Sequence, residues 1–119
     1  MSEARVDERV IDPMAKYFAM EVAKGAREIP DSKFKSVKLI GSYARGEQKD
    51  NSDVDVLVIW DDKKRWSRDD IENAIYKQLS KNNVETEALH VVVVSKEEFE
   101  DPNPQDKYLA AMKREAITL

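Results

Sequence analysis

The apolar positions of the chain begin with helical spacing and then change to strand spacing. Asp12-Pro13 combines a side chain that caps helices with a proline suited to the first helical turn. The apolar residues that follow recur at intervals that predict one face of a helix, made of Met14, Tyr17, Phe18 and Val22. Pro30-Asp31-Ser32 predicts the end of this helix, and the alternation from Phe34 to Ile40 predicts a strand.

Two denser apolar runs predict buried strands. One extends from Val54 to Trp60, and the other, from Leu89 to Val94, contains four consecutive valines. Runs rich in β-branched residues are typical of strands that are covered on both faces. Trp60 is therefore expected in the core, whereas Trp66 and the basic run 63–65 are expected at the surface.

Capping patterns predict the starts of two further helices. Ser67 with Asp70 precedes a helical stripe, and Ser95 with Glu98 begins a short helix. The stripe consists of Ile71, Ala74, Ile75 and Leu79. After two prolines, a last helix is predicted from Gln105 to Glu115, with an apolar face made of Tyr108, Leu109 and Met112.

The order of the predicted elements is helix, strand, strand, helix, strand, helix, helix. This order predicts a small α/β (α+β) domain whose mixed sheet has about three to four strands, with helices mainly on one face. The 119 residues suit a single domain, which we expect to span 1–119.

Composition and charge narrow the function classes. The chain carries 20 basic and 24 acidic residues and a net charge of −4, which argues against general nucleic-acid binding. It has no cysteine and only one histidine, His90, which excludes disulfides, thiolate metal sites and a multi-histidine zinc site within one chain. No apolar run approaches the ~20 residues of a membrane span, so we expect a cytoplasmic protein without membrane contact.

One constellation of residues lies between the first two predicted strands. Gly41-Ser42 offers a backbone that a phosphate can approach closely and a hydroxyl donor. Asp53 and Asp55 are two positions apart near a strand, so their side chains share one face. Adjacent carboxylates repel each other, and Mg²⁺ relieves that repulsion by binding one or two carboxylates together with substrate phosphates. The constellation therefore predicts a phosphate and metal site in an acidic segment, because residues 47–62 carry six acids and one lysine.

The segment GSYARGEQKDNSDVD resembles the signature of the DNA polymerase β-like nucleotidyltransferases. It is most similar to their minimal nucleotidyltransferase (MNT) domains, of which the Ala-Arg-Gly within the segment is also typical. The agreement in element order covers about residues 13–117, and Lys113-Arg114-Glu115-Ala116-Ile117 resembles the usual closing segment. The resemblance implies the polymerase β-like fold, a short mixed sheet in which the phosphate loop leaves the first strand.

The resemblance also implies roles for individual residues. Gly41, Ser42 and Arg45 would bind the nucleotide, and Asp53 and Asp55 would bind Mg²⁺, in a two-metal site. The reaction would transfer a nucleoside monophosphate, expected to be AMP from ATP, to an acceptor hydroxyl.

The family also has a third catalytic carboxylate, on a later strand. Counting back from Ser95 places His90 at its position, so the predicted catalytic residues are Asp53, Asp55 and His90. Glu85 and Glu87 are alternatives if a bulge shifts the register.

Three functions follow from this resemblance. The first is a Mg²⁺-dependent nucleotidyltransferase that adenylylates a protein, with a HEPN ribonuclease toxin as partner and this chain as its antitoxin. The second is a catalytically weakened or inactive module of the same fold that neutralises its partner by binding, which the missing third acid favours. The third is a small-molecule transferase of the aminoglycoside-modifying kind, which would need a homo-oligomer or a second subunit to build the acceptor pocket.

Overall fold

The computed structural model of the chain describes residues 11–61 and 67–119. Trp66 and the basic run 63–65, which are expected at the surface, lie outside these ranges. The elements within them are α1 Pro13–Glu28, β1 Phe34–Ile40, α2 Gly41–Arg45, β2 Val54–Trp60, α3 Arg68–Lys81, β3 Leu89–Ser95, α4 Lys96–Glu100, α5 Lys107–Glu115 and β4 Ile117–Thr118. Among the described residues, no helix is both long enough and apolar enough to cross a membrane.

The strands form a mixed four-stranded sheet in the order β3-β2-β1-β4. β1 and β2 pair antiparallel, whereas β2 and β3 pair parallel because α3 carries the chain back between them. The α/β fold class with a small mixed sheet is therefore confirmed. β4, which pairs antiparallel with β1, was not predicted, because two residues carry too short a pattern to indicate a strand.

The two longest helices, α1 and α3, pack on the same face of the sheet. Their apolar stripes meet the inward side chains of three strands, including Leu39 of β1, Val56 and Val58 of β2 and Val91 of β3, all at most 1% exposed. Trp60, at 2% exposure, belongs to this core, which confirms its expected place. This cluster is the larger apolar core of the described part of the chain.

The opposite face of the sheet is covered by the shorter helices α4 and α5. Leu57 and Ile59 of β2 pack there with Val94 of β3 and Leu109 of α5. Phe99 of α4 contributes to the same cluster as a partly buried side chain. The sheet is thus covered on both faces along much of its length, as the valine run predicted.

The predicted helix starts are confirmed by their caps. The Asp12 carboxylate accepts a hydrogen bond from the Met14 N–H at 2.8 Å, and Pro13 occupies the first helical position. Ser67 accepts from the Asp70 N–H at the start of α3. Ser95 and Glu98 form a complete capping box, in which each side chain accepts a hydrogen bond from the backbone N–H of the other residue.

Two of the predicted apolar helix faces are corrected. Met14 and Tyr17 are 42% and 50% exposed, because alanines replace them in the buried stripe of α1 and let the helix lie close to the sheet. That stripe consists of Ala15, Phe18, Ala19, Val22, Ala23 and Ala26. In α5, Leu109 is buried and Met112 partly buried, but Tyr108 is 83% exposed, since it points away from the sheet in the first turn.

Candidate active site

The predicted phosphate loop begins where β1 ends. Ile40 is the last residue of β1, and Gly41 directly after it starts α2, a short helix of five residues. Gly41 has φ +77°, a left-handed conformation that side chains rarely adopt. A Cβ atom at Gly41 would lie 2.2 Å from Oδ2 of Asp55, so only glycine fits. The backbone of the loop is therefore in contact with one of the two predicted metal-binding carboxylates.

The second half of α2 is closed by Gly46. This residue is also left-handed, with φ +73°, and its N–H donates to the Ser42 carbonyl as the helix ends. The Glu47 N–H donates to the same carbonyl at 2.9 Å. Ser42 is thus held in a tight turn, half-buried, next to Gly41.

The two aspartates lie at the start of β2. Asp53 is exposed immediately before the strand, whereas Asp55 is within it, with 27% of its side chain exposed. Asp55 is paired with Ile40 of β1 on one side and with His90 of β3 on the other. Because side chains alternate along a strand, Asp55 lies on the sheet face of Leu57 and Ile59, opposite the larger core.

His90 lies directly beside Asp55 on the neighbouring strand β3. Its Nδ1 is 3.0 Å from Oδ1 of Asp55, and 62% of its side chain is exposed. Because an ionised carboxylate can only accept hydrogen bonds, the ring donates through Nδ1–H in a hydrogen bond to such a group. Glu85 and Glu87, the alternatives for this position, are exposed residues of the segment before β3.

The donor set determines which metal ion these residues suit. Across residues 11–61 and 67–119, no three histidine or acidic side chains gather into a group that could hold a metal ion. The described residues therefore offer carboxylates rather than a closed protein cage. Mg²⁺ is bound in this way, through one or two carboxylates, with its other positions filled by water and substrate phosphates. The donors of Asp53 and Asp55 fit a Mg²⁺ ion that is shared with a nucleotide.

Arg45, predicted to bind the nucleotide, contacts two glutamates. Its Nε donates to Glu47 and its Nη1 to Glu115, each at 2.9 Å. These hydrogen bonds, first the one to Glu47 and then the one to Glu115, raise the pKa of Arg45. The guanidinium is therefore held by protein carboxylates at the side of α2.

Glu115 is a residue of the site that the sequence analysis did not single out. Besides Arg45, its carboxylate accepts the Gly41 N–H at 2.9 Å. The end of α2 and the end of α5 border an open cavity of about 540 Å³. It is lined by Ala44, Arg45, Glu47, Arg114, Glu115, Ala116 and Ile117. A weak signal was present, because an acid in the last turn of a helix opposes the helix dipole, which favours the cations Lys113 and Arg114 there.

Comparison with known proteins shows the family of the chain. The model of the nucleotidyltransferase domain family matches residues 20–116. The chain belongs to the nucleotidyltransferase domain family. The matched range contains the phosphate loop, both aspartates, His90 and Glu115, so every residue of the candidate site lies within the nucleotidyltransferase domain.

The relatives with shared sequence are two archaeal proteins of Methanocaldococcus jannaschii. MJ1215, a candidate protein adenylyltransferase, is 50% identical over 36 residues, which are 29% of this chain and 42% of that protein. MJ1379, named in the same way, is 57% identical over 30 residues, 25% of this chain and 30% of that protein. The matches thus span less than half the length of either relative.

The chain also aligns with solved structures. The crystal structure of a candidate nucleotidyltransferase from Sulfolobus solfataricus aligns with a TM-score of 0.56 at 20% identity, covering 82% of this chain and 79% of that chain. A toxin-antitoxin crystal structure with AMP-PNP aligns with a TM-score of 0.43 at 26% identity, covering 63% of this chain and 56% of that chain. The first of these supports the nucleotidyltransferase fold.

Proposed function

We propose that this nucleotidyltransferase domain uses Mg²⁺ and ATP to transfer AMP to a hydroxyl group of a partner protein. The observation that carries the proposal is the contact between Gly41 and Asp55. It brings the phosphate loop against a carboxylate, so that one nucleotide can meet both. Membership in the nucleotidyltransferase family supports the reaction class.

In the proposed complex, the turn at Gly41-Ser42 receives the terminal phosphates of ATP. Asp53 and Asp55 would hold Mg²⁺, because proteins usually supply one or two carboxylates to this ion and leave its other positions to water and substrate phosphates. When bound, the ion neutralises phosphate charge and stabilises the negative charge that develops on the leaving group.

At the α-phosphorus, the reaction forms one bond and breaks one bond, and a proton leaves the acceptor hydroxyl. The acceptor oxygen bonds to the α-phosphorus of ATP, the bond from that phosphorus to the bridging oxygen breaks, and pyrophosphate leaves. His90 takes the proton of the acceptor hydroxyl at Nε2, since its Nδ1–H is oriented by Asp55 at 3.0 Å.

The proposed acceptor is a protein, with a HEPN-type toxin as the specific partner. The two archaeal relatives carry names that assign them to protein adenylylation. The resemblance to minimal nucleotidyltransferase domains adds the HEPN partner and the antitoxin role. Modification of a toxin by AMP would neutralise it without a permanent complex.

The test is label transfer from [α-³²P]ATP to the HEPN-type product of the neighbouring gene, in the presence of Mg²⁺. We expect Asp53→Asn and Asp55→Asn each to lower the rate by at least ~10²-fold, the loss typical of removing one charge-stabilising group. Asp50→Asn is the matched control, because Asp50 is an exposed carboxylate of the same connection, and it is expected to keep the parent rate. Absence of transfer by the folded parent and partner would contradict the proposal.

A second candidate function is neutralisation by binding alone. His90 favours it, because the imidazole stands where the resemblance places a carboxylate and already bonds to Asp55. In that case Asp53→Asn would still neutralise the partner, and calorimetry of the parent would detect no Mg²⁺-dependent ATP binding. His90→Asp separates the two functions. A binding module gains Mg²⁺-dependent ATP binding from this change, whereas an enzyme already shows that binding in the parent.

A further inference from the structure

The last helix reaches back to the phosphate loop through one side chain. Glu115, at the C-terminal end of α5, accepts the Gly41 N–H at Oε1 and the Arg45 guanidinium at Oε2, both at 2.9 Å. These partners are 74 and 70 residues away along the chain. They are the first and last residues of α2, so one carboxylate spans the whole segment.

α2 needs such a partner because it has no side-chain cap of its own. Its N-cap residue is Ile40, which makes no side-chain hydrogen bond to the first turn. The first N–H groups of a helix have no intrahelical acceptor, and a carboxylate is a strong acceptor for one of them. Glu115 therefore performs for α2 what Asp12 and Ser67 perform for α1 and α3, but from a distant part of the chain.

The backbone beyond Glu115 keeps this carboxylate in place. Ile117 and Thr118 form β4 and pair with Leu39 and Lys38 of β1, the strand that leads into Gly41. The Glu115 side chain is 20% exposed, so it is largely withdrawn from solvent. A carboxylate in that setting forms stronger hydrogen bonds than one at an exposed site.

The position of Gly41 in turn determines how the loop meets the metal-binding carboxylate. With Asp55 against its Cα hydrogens, a small movement of Gly41 changes the separation of Ser42 from Asp55. Misplacement of about 1 Å in an active site lowers rates by about 10²-fold.

We infer that Glu115 is a positioning residue that holds the phosphate loop at the correct distance from Asp55. The inference rests on the proposed function of that site. It also means that the Gly41 N–H is occupied by the protein, so that the nucleotide is held by the remainder of the loop.

The contact itself is tested by NMR on protein labelled with ¹⁵N-glycine. The chain has three glycines, so three backbone signals are expected; Gly46→Ala and Gly25→Ala each assign one of them, which leaves the third to Gly41. Glu115→Gln keeps an oxygen for the Gly41 N–H but removes its charge, and Glu115→Ala removes the acceptor. We expect the Gly41 signal to move in both variants, further in Glu115→Ala, while the Gly25 signal stays. An unmoved Gly41 signal would overturn the inference.

The functional consequence is tested by ATP titration with Mg²⁺ and by transfer kinetics. We expect Glu115→Ala to weaken ATP binding by about 10-fold or more, the effect of losing hydrogen bonds to a charged group. The turnover of ATP-saturated protein is expected to fall as well, and Glu115→Gln is expected to recover part of both losses. Glu100→Gln, an exposed helical glutamate on α4, is the matched control and keeps parent values.

The outcomes separate this inference from the proposed function. If Glu115→Ala only lowers the melting temperature, while folded protein binds and turns over ATP like the parent, Glu115 is structural and the inference is wrong. If the parent binds no ATP with Mg²⁺, the proposed function fails and the positioning role fails with it. The Gly41 signal distinguishes these cases, since it reports the contact without any nucleotide.

Discussion

The two faces of the sheet differ in what their side chains do, although the same strands build both. Toward α1 and α3, β2 presents Val54, Val56, Val58 and Trp60, which are at most 2% exposed. Toward α4 and α5, β2 presents Leu57 and Ile59. It also presents Asp55, the second residue of the strand, on this face. The first face is apolar from end to end, whereas the second is apolar at one end and carries the candidate site at the other.

This difference shows how a small domain separates stability from chemistry. Successive side chains of a strand point to opposite faces of the sheet, so neighbouring residues of β2 belong to different faces. The larger core anchors the backbone of Val54 and Val56, and Asp55 between them is thereby fixed in direction. A change on the first face is expected to alter stability, and a change at the polar end of the second face is expected to alter activity.

The largest effect is expected from a cavity in the first face. Leu79 of α3 is fully buried there, and Leu79→Ala is expected to lower the free energy of unfolding by about 2–5 kcal/mol. Urea unfolding measures the loss, and Ser80→Ala, at the exposed neighbour, is the control. Transfer activity per folded molecule is expected to stay unchanged. A fall in that quantity would show that the two faces are coupled.

The next effect is expected at the polar end of the second face. Gly41→Ala introduces a methyl group 2.2 Å from the position of Asp55 Oδ2 and strains a backbone at φ +77°. We expect transfer to fall by about 10²-fold, because the loop must move away from the carboxylate.

The matched control for that change is Gly46→Ala. Gly46 has nearly the same φ, +73°, but its Cβ would meet nothing within 4 Å. This variant therefore carries the backbone strain, about 1 kcal/mol, without the clash. Equal losses of transfer in the two variants would contradict the role given to the contact with Asp55.

The smallest effect is expected at the outer edge of β3, which α3 covers. The Tyr76 hydroxyl accepts the Val91 N–H at 2.9 Å, and Glu72 accepts the Val93 N–H at 3.1 Å. Such contacts occupy backbone groups that an edge strand would otherwise leave open. Tyr76→Phe is expected to lower the free energy of unfolding by about 1 kcal/mol. Tyr108→Phe, at an exposed residue, is the control.

The contribution of Tyr76 to the free energy of unfolding is expected to fall as the pH rises. Burial, the largest cause, raises the pKa of Tyr76. A raised pKa means that the stabilisation is complete below the ordinary pKa of tyrosine and is lost as the pH rises through the folded-state value. The parent is therefore expected to lose more stability than Tyr76→Phe in alkaline unfolding titrations above about pH 10. Parallel titration curves would refute this assignment.

The elements that were predicted correctly are those with local signals. The caps at Asp12, Ser67 and Ser95 act within three residues, and the strand patterns repeat every second residue, so each can be read in a short window. The strand register places His90 beside Asp55, and its role as third catalytic residue stays a prediction. β4 was missed, since its pairing with Leu39 and Lys38 involves residues about eighty positions away.

The sequence by itself determined the order of the longer elements, the caps and the spacing of Gly41-Ser42 from Asp53 and Asp55, because these depend on residue types at short spacings. Only the tertiary structure decided which helix face of α1 is buried, since the spacing of Met14 and Tyr17 fits a helical face as well as the spacing of the buried alanines does. It also decided that Arg45 and Gly41 meet Glu115. Hydrogen bonds between distant residues depend on how the sheet brings the end of the chain back to β1, and no local pattern encodes that return.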